Sequence, residues 1–185
     1  MRARYLRLAL TVATLLSALG HAGDKNGPAE IMDEYCKLDF DGGQLTGEGW
    51  HKMAHLFTWS DAPGWDQFSV VRDYKVVSAQ VSGNRATVTV EFQKVGELTD
   101  EPAFTSRKST EIVGFQLVRT LHEWKFDADG NPVRTKAEWR WQIQRPQLQP
   151  HISCDSALKQ IEAIGADGQT LQKTTEEITA VCKSG

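Results

Sequence analysis

The sequence predicts an α+β domain, and three observations support that fold class. Two short segments near residue 30 and residue 50 place apolar residues at helical spacing. Long segments in the middle of the chain are rich in valine and aromatic residues and alternate apolar with polar side chains, as strands do. Two further helical segments close the chain. This order, in which helices come first, strand hairpins follow and helices close the chain, is typical of an α+β protein.

The first 22 residues have the pattern of a secretory signal peptide. Arg2, Arg4 and Arg7 precede an apolar run, and small residues lead to a predicted cleavage site after Ala22. A membrane anchor is the alternative, but the run is shorter than the roughly 20 residues that span a bilayer. No cysteine lies at the cut, so a lipid anchor is not expected. The sequence therefore predicts export, to the periplasm or outside the cell.

Cleavage would leave 163 of the 185 residues, a length that suits one domain with a real core. The mature chain would carry 18 basic and 24 acidic residues. No run of lysine and arginine stands out from this acidic balance, so nucleic acid is not an expected partner.

The helical segments at the start of the chain are too short to be stable alone. The first runs from Pro28 until Asp41 and two glycines end it. The second is predicted to follow Thr46 as its N-cap and to end in the loop 58–67. Each must place an apolar face on a larger element, and the predicted strands provide one.

Four strands in two hairpins are predicted, at 68–81, 85–95, 111–126 and 137–145. Residues 99–110 are predicted to be a polar excursion between the hairpins. In the second hairpin, one face would carry Val113, Phe115 and Leu117 beside Trp139, Trp141 and Ile143. Packing in the core is the favoured interpretation of this row, and the wall of a binding cavity is the alternative.

The last two helices, at 153–165 and 170–185, have only sparse apolar stripes, so they are expected to lie on a surface. An antiparallel hairpin would bring Cys154, in the first turn of one helix, beside Cys182, in the last turn of the other. We predict that these two form a disulfide and that Cys36 stays a buried free thiol. The rival pairing is Cys36 with Cys154.

The order of elements, together with the hairpin segments VGFQLVRTLHEWKF and EWRWQIQRPQ, resembles the NTF2-like superfamily, including its SnoaL-like and ketosteroid-isomerase-like branches. The resemblance covers about residues 28–148 and leaves 149–185 as a helical extension. It implies a strongly curved, mostly antiparallel sheet wrapped around the N-terminal helices, forming a cone with an internal pocket. Some such relatives hold acidic and tyrosine residues in the cone, and others hold histidine and aspartate there. Neither set can be matched to particular positions of this sequence. The candidate pocket residues here are Tyr35, His55, Asp66, Tyr74, Arg119, Trp139 and Trp141.

Two metal-binding patterns are weak. Asp127, Asp129, Asn131 and Glu138 fit positions 1, 3, 5 and 12 of a calcium loop, but Pro132 stands where the loop requires glycine. His51 and His55 have the spacing of helical zinc ligands, with His122, His151 and Asp66 as the other residues that could contribute. Ordinary loop and surface roles explain these residues, and no metal or cofactor is predicted.

Two functional classes remain open. The first is a non-catalytic binding or accessory module for a small apolar or amphipathic ligand, with an exposed sheet face that would permit a homodimer. The second is a small-molecule isomerase, dehydratase or hydrolase that uses acid–base residues in the cone. The sequence favours the first because no acid–base pair is evident. A cavity containing two convergent ionisable groups would favour the second.

Overall fold

The computed structural model describes residues 27–62, 64–126, 132–145, 149–165 and 167–184. The elements, in chain order, are α1 (Pro28–Phe40), α2 (Gly47–Met53), β1 (Gln67–Ser82), β2 (Arg85–Thr99), β3 (Phe104–Phe126), β4 (Pro132–Ile143), β5 (His151–Ser153), α3 (Cys154–Ile164) and α4 (Gly168–Lys183). Single 3-10 turns at Gly43–Leu45 and Ala54–Leu56 flank α2. The predicted signal peptide lies outside the described residues.

The five strands form one mixed sheet in the order β4-β3-β2-β1-β5, which curls into a half-barrel. The first four strands pair antiparallel, and β5 pairs parallel with β1. Together with the helices this confirms the predicted α+β class. The strong curl is compatible with a cone-like fold.

The sequence indicated the end of α1 and the start of α2, but α2 ends at Met53 and not in the loop 58–67, because a 3-10 turn replaces its last turn. Thr46 caps α2, and its hydroxyl accepts from the backbone N–H of Gly49 at 3.0 Å. Gly42 follows α1 with a φ of 83°, a left-handed conformation that favours glycine. The short stretch between the helices therefore turns sharply enough for both to lie on the same side of the sheet.

Several strand boundaries predicted from the sequence were wrong, since β2 continues to Thr99 and β4 begins at Pro132. β3 begins at Phe104, so most of the predicted polar excursion at 99–110 is strand that pairs with β2. Residues 105–110 are exposed, and a strand without a buried face carries no alternating apolar signal. The short strand β5 was not predicted because three residues after a proline are too few to show a period.

The two faces of the sheet carry separate hydrophobic cores, as the neighbours Val70 and Val71 show. Val71 points to the face that α1 and α2 cover, which we call the inner face, and Val70 points to the opposite, outer face. The inner core also holds buried residues from α1 through β4: Met32, Tyr35, Cys36, Trp50, Met53, Leu56, Phe57, Ala86, Val88, Val90, Phe92, Phe115, Leu117, Trp141 and Ile143.

The outer core joins α3 and α4 to the sheet. Its buried members are Phe68, Val70, Val95, Leu98, Ile152, Ala157, Ile161 and Ile178.

Cys154 and Cys182 form a disulfide with their Cα atoms 6.3 Å apart, and Cys36 is a buried free thiol. Both cysteine predictions are therefore confirmed, and the rival pairing is excluded.

Candidate functional site

Among the described residues, helices cover the inner face at one end and leave the other end uncovered. The register pairs Leu117 with Ile143, Arg119 with Trp141, and Leu121 with Trp139. Trp141 is 7 % exposed, whereas Trp139, two residues earlier on the same strand face, is 48 % exposed. The row predicted to face the helices therefore divides: Trp141 and Ile143 are core, and Trp139 lies beyond the helices.

The exposed residues at this end form a surface that we call the open rim: Arg119, Leu121 and Trp139. Leu121 is 45 % exposed, and the Arg119 guanidinium carbon lies 5.9 Å from the centre of the Trp139 ring. That distance is suitable for a cation–π contact. The open rim thus combines an aromatic ring, an aliphatic side chain and a positive charge.

A groove of about 170 Å³ adjoins the open rim, between α1 and the edge strand β4. It is lined by Ile31, Glu34, His55, Leu56, Glu138, Arg140 and Trp141. Trp141 joins the two surfaces because it is the next residue after Trp139 on the same strand face. The groove is smaller than the roughly 300 Å³ at which drug-sized pockets begin.

Two pairs of ionisable side chains line the groove. His55 Nε2 lies 3.1 Å from Glu34 Oε1, and Arg140 Nε donates to Glu138 Oε2 at 3.0 Å. The side chains of Glu34 and His55 are each about half exposed. Water screens such pairs, so they contribute little to stability.

A second polar site is buried in the inner core around Asp39, which is 1 % exposed. Its carboxylate accepts from the Tyr35 hydroxyl at 3.3 Å, from Gln44 Nε2 at 2.8 Å and from the backbone N–H of His151 at 2.9 Å. Burial raises the pKa of Asp39 to about 6 despite these donors. Burial is also the main reason why the pKa of Tyr35 lies well above its ordinary value, and the nearby Asp39 adds to that rise.

The His151 ring lies between two carboxylates. Its Nδ1 is 4.0 Å from Asp39 Oδ2, its Nε2 is 3.6 Å from Glu111 Oε2, and its face stacks on Phe92 with ring centres 3.8 Å apart. His151 is 2 % exposed, and neither ring nitrogen has a hydrogen-bond partner within the described part of the chain. The interaction with His151 holds the pKa of Glu111 below its usual range.

The structure brings some of the predicted pocket residues together and separates others. His55 and Trp141 share the groove, Arg119 and Trp139 share the open rim, and Tyr35 belongs to the buried site. Two others lie apart from these three places. Asp66 is exposed before β1, where its carbonyl accepts from the backbone N–H of Asp100, and Tyr74 packs its ring against Phe40. Burial raises the pKa of Tyr74 to about 12.

The sequence interpretation missed Asp39, Gln44, Glu111 and Glu34 as site residues, and it considered His151 only as a metal ligand. Asp39 was detectable because it lies four residues after Tyr35, on the same face of α1. His151 contacts both Asp39 and Glu111 only because the folded sheet places β3, β5 and α1 close together, which no local spacing reveals.

The two metal-binding patterns have different outcomes. Asp127, Asp129 and Asn131 of the calcium pattern lie outside the described residues, and Glu138 contacts Arg140 instead. His51 Nδ1 lies 2.7 Å from the Gly47 carbonyl oxygen, while His55 pairs with Glu34. Within the described ranges, no group of three or more His, Cys, Asp or Glu side chains could hold a metal ion.

Comparison with known proteins gave no matching family model, no matching curated protein and no matching solved structure. The α+β half-barrel itself is seen directly in the structure. None of the helices among the described residues is both long enough and apolar enough to cross a membrane.

Proposed function

We propose that the chain is an exported, NTF2-like binding module that takes a small amphipathic ligand at the open rim. The observation that carries this proposal is the exposure of Trp139 and Leu121. These two residues are paired in register on a sheet face where Trp141, Leu117 and Ile143 are buried. Large apolar side chains left exposed beside buried ones on the same face are typical of binding surfaces.

The chemistry of the open rim favours a ligand with an apolar chain and an anionic end. Trp139 and Leu121 offer apolar area, and Arg119 offers a cation beside the ring. A guanidinium pairs with a carboxylate through two parallel hydrogen bonds, which a lysine cannot reproduce. An alkyl carboxylate is the simplest molecule with both parts, and its chain could follow the strand face toward Trp141.

Isothermal titration calorimetry with octanoate and with 1-octanol tests this assignment. We expect octanoate to bind more tightly, and Trp139→Ala and Arg119→Gln each to weaken octanoate binding at least tenfold. Ile112→Ala is the matched control, because Ile112 is 68 % exposed but lies on the outer face, opposite Glu91 in the register. Equal weakening by the control, or unchanged binding in Trp139→Ala, would contradict the assignment.

Native mass spectrometry of the protein isolated from its own source tests the same proposal without a chosen ligand. We expect a mature chain that begins at Gly23 and carries a retained small molecule. The same spectrum reports whether the protein forms a homodimer.

A second candidate function is acid–base catalysis, favoured by the pair of Glu34 and His55 at 3.1 Å in the groove. A carboxylate that orients an imidazole is an arrangement suited to a general base. His55→Gln keeps the side chain polar but removes the base. Turnover of the retained molecule by wild type and not by His55→Gln would establish an enzyme, whereas no turnover by either protein would favour the binding module.

A further inference from the structure

We propose that the cluster of Asp39, His151 and Glu111 takes up a proton when the chain folds, so that β5 is held against α1 more firmly in mildly acidic solution than at neutral pH. The proposal is independent of the ligand at the open rim. It rests on three features of the cluster: its geometry, its burial and its position between two parts of the fold.

The geometry places more negative than positive charge around the imidazole. Two carboxylates approach one ring, on opposite nitrogens, at 4.0 Å and 3.6 Å. Lys94 on β2 is a cation near Glu111, but its ammonium lies 2.6 Å from Glu97 and 3.9 Å from Glu111, so its charge is shared with a third carboxylate. Even with His151 protonated, the cluster holds a surplus of negative charge.

Burial makes that surplus unfavourable, and a proton removes it. Asp39 and His151 are almost fully buried, and Tyr35 and Gln44 provide hydrogen bonds but no charge. The pKa of Asp39 is raised to about 6, against about 3.9 for an unfolded aspartate. The folded chain therefore binds the extra proton at a pH where the unfolded chain does not.

The sign of the pH dependence follows from this difference. A raised carboxyl pKa contributes stability that is complete below about pH 4 and is lost as the pH rises through 6. The lowered pKa of Glu111 acts in the opposite direction, since its contribution is lost as the pH falls below its usual range. The cluster is therefore most stabilising at mildly acidic pH, between these two limits.

The position of the cluster connects the inner core to the C-terminal part of the chain. Asp39 belongs to α1, while His151 opens β5, which leads directly into α3 and the disulfide. The bond from the His151 N–H to Asp39 and the bond from the Ser69 N–H to the Pro150 carbonyl both hold this short strand in place. A change of charge at Asp39 should therefore change how strongly β5, and with it α3 and α4, is held against the rest of the fold.

Thermal unfolding at pH 7.5 and at pH 4.5 tests the proposal. The Tm of each protein is measured at both pH values, and the difference is compared between wild type and Asp39→Asn. Lowering the pH should favour the folded state of wild type more than that of Asp39→Asn, by about 4 °C in Tm. Asp41→Asn is the matched control, because Asp41 is exposed at the end of the same helix. It should keep the pH dependence of wild type. The same pH dependence in Asp39→Asn and wild type would overturn the proposal.

Hydrogen exchange on the wild-type protein keeps the proposal testable if Asp39→Asn does not fold. After correction for intrinsic exchange rates, protection of the His151 amide should rise about tenfold or more from pH 6.5 to pH 4.5. Protection that stays constant or falls over this range would show that the cluster takes up no proton on folding.

Discussion

The two hydrophobic cores on the opposite faces of the sheet are built differently. The inner core contains most of the buried aromatic residues, with Trp50 stacked on Phe57 and Tyr35 set edge-on to Phe115. The outer core is mainly aliphatic and is accompanied by the disulfide. Large rings bury enough area to fix two short helices in place, whereas sparse aliphatic stripes on α3 and α4 benefit from a covalent link.

The largest expected effect comes from removing an aromatic residue of the inner core. Trp141→Ala should lower the free energy of unfolding by about 3–5 kcal/mol in urea denaturation, because the deleted ring leaves a cavity. Trp139→Ala, on the same strand face, should cost less than about 1 kcal/mol, since this ring is half exposed. Similar costs for the two variants would show that the helices do not cover Trp141.

Loss of the disulfide tests whether the outer core depends on its crosslink. The bridge joins residues 28 positions apart, and Cys154→Ser with Cys182→Ser should cost roughly 3–4 kcal/mol on the chain-entropy estimate. Dithiothreitol should destabilise wild type by a similar amount and leave the double variant unchanged. If wild type is insensitive to the reductant, the aliphatic contacts alone hold α3 and α4.

Gly96 offers a smaller effect within the outer core. A Cβ added there would overlap the Phe104 ring, so Gly96→Ala should cost about 1–3 kcal/mol through overpacking. Gly114→Ala is the control on the neighbouring strand, because nothing lies within 4 Å of its added Cβ. It should be neutral or slightly stabilising. An unchanged melting temperature in Gly96→Ala would place Phe104 elsewhere.

Removing a helix cap should have the smallest effect on stability. One cap lies on each face of the sheet, so the two faces can be compared. Ser153 caps α3 over the outer face, and Thr46 caps α2 over the inner face. Each change to alanine should cost about 0.5–2 kcal/mol, with Ser153→Ala the larger because its hydroxyl is buried and also bonds to Ser156. Thermal melts of both variants side by side measure the difference.

Local patterns predicted the elements that have a strong period or a clear cap. Both N-terminal helices, the strand pairs with alternating valines and the two C-terminal helices were all evident from spacing alone. The pairing of Cys154 with Cys182 followed from two helices of similar length joined by a short turn. Residues 105–110 of β3 and the three residues of β5 gave no such signal, because the former are exposed on both faces and the latter are too few.

The sequence by itself predicted the fold class and the N-cap of α2, because these depend on local patterns, and it favoured a core position for Trp141 and the pairing of Cys154 with Cys182 over their alternatives. Only the tertiary structure decided that Trp139 is exposed while Trp141 is buried, because that depends on how far the helices reach along the sheet. It also decided that Asp39, Glu111 and His151 meet. These residues come from α1, β3 and β5, and only the curl of the sheet and the pairing of its strands place two carboxylates around one buried imidazole.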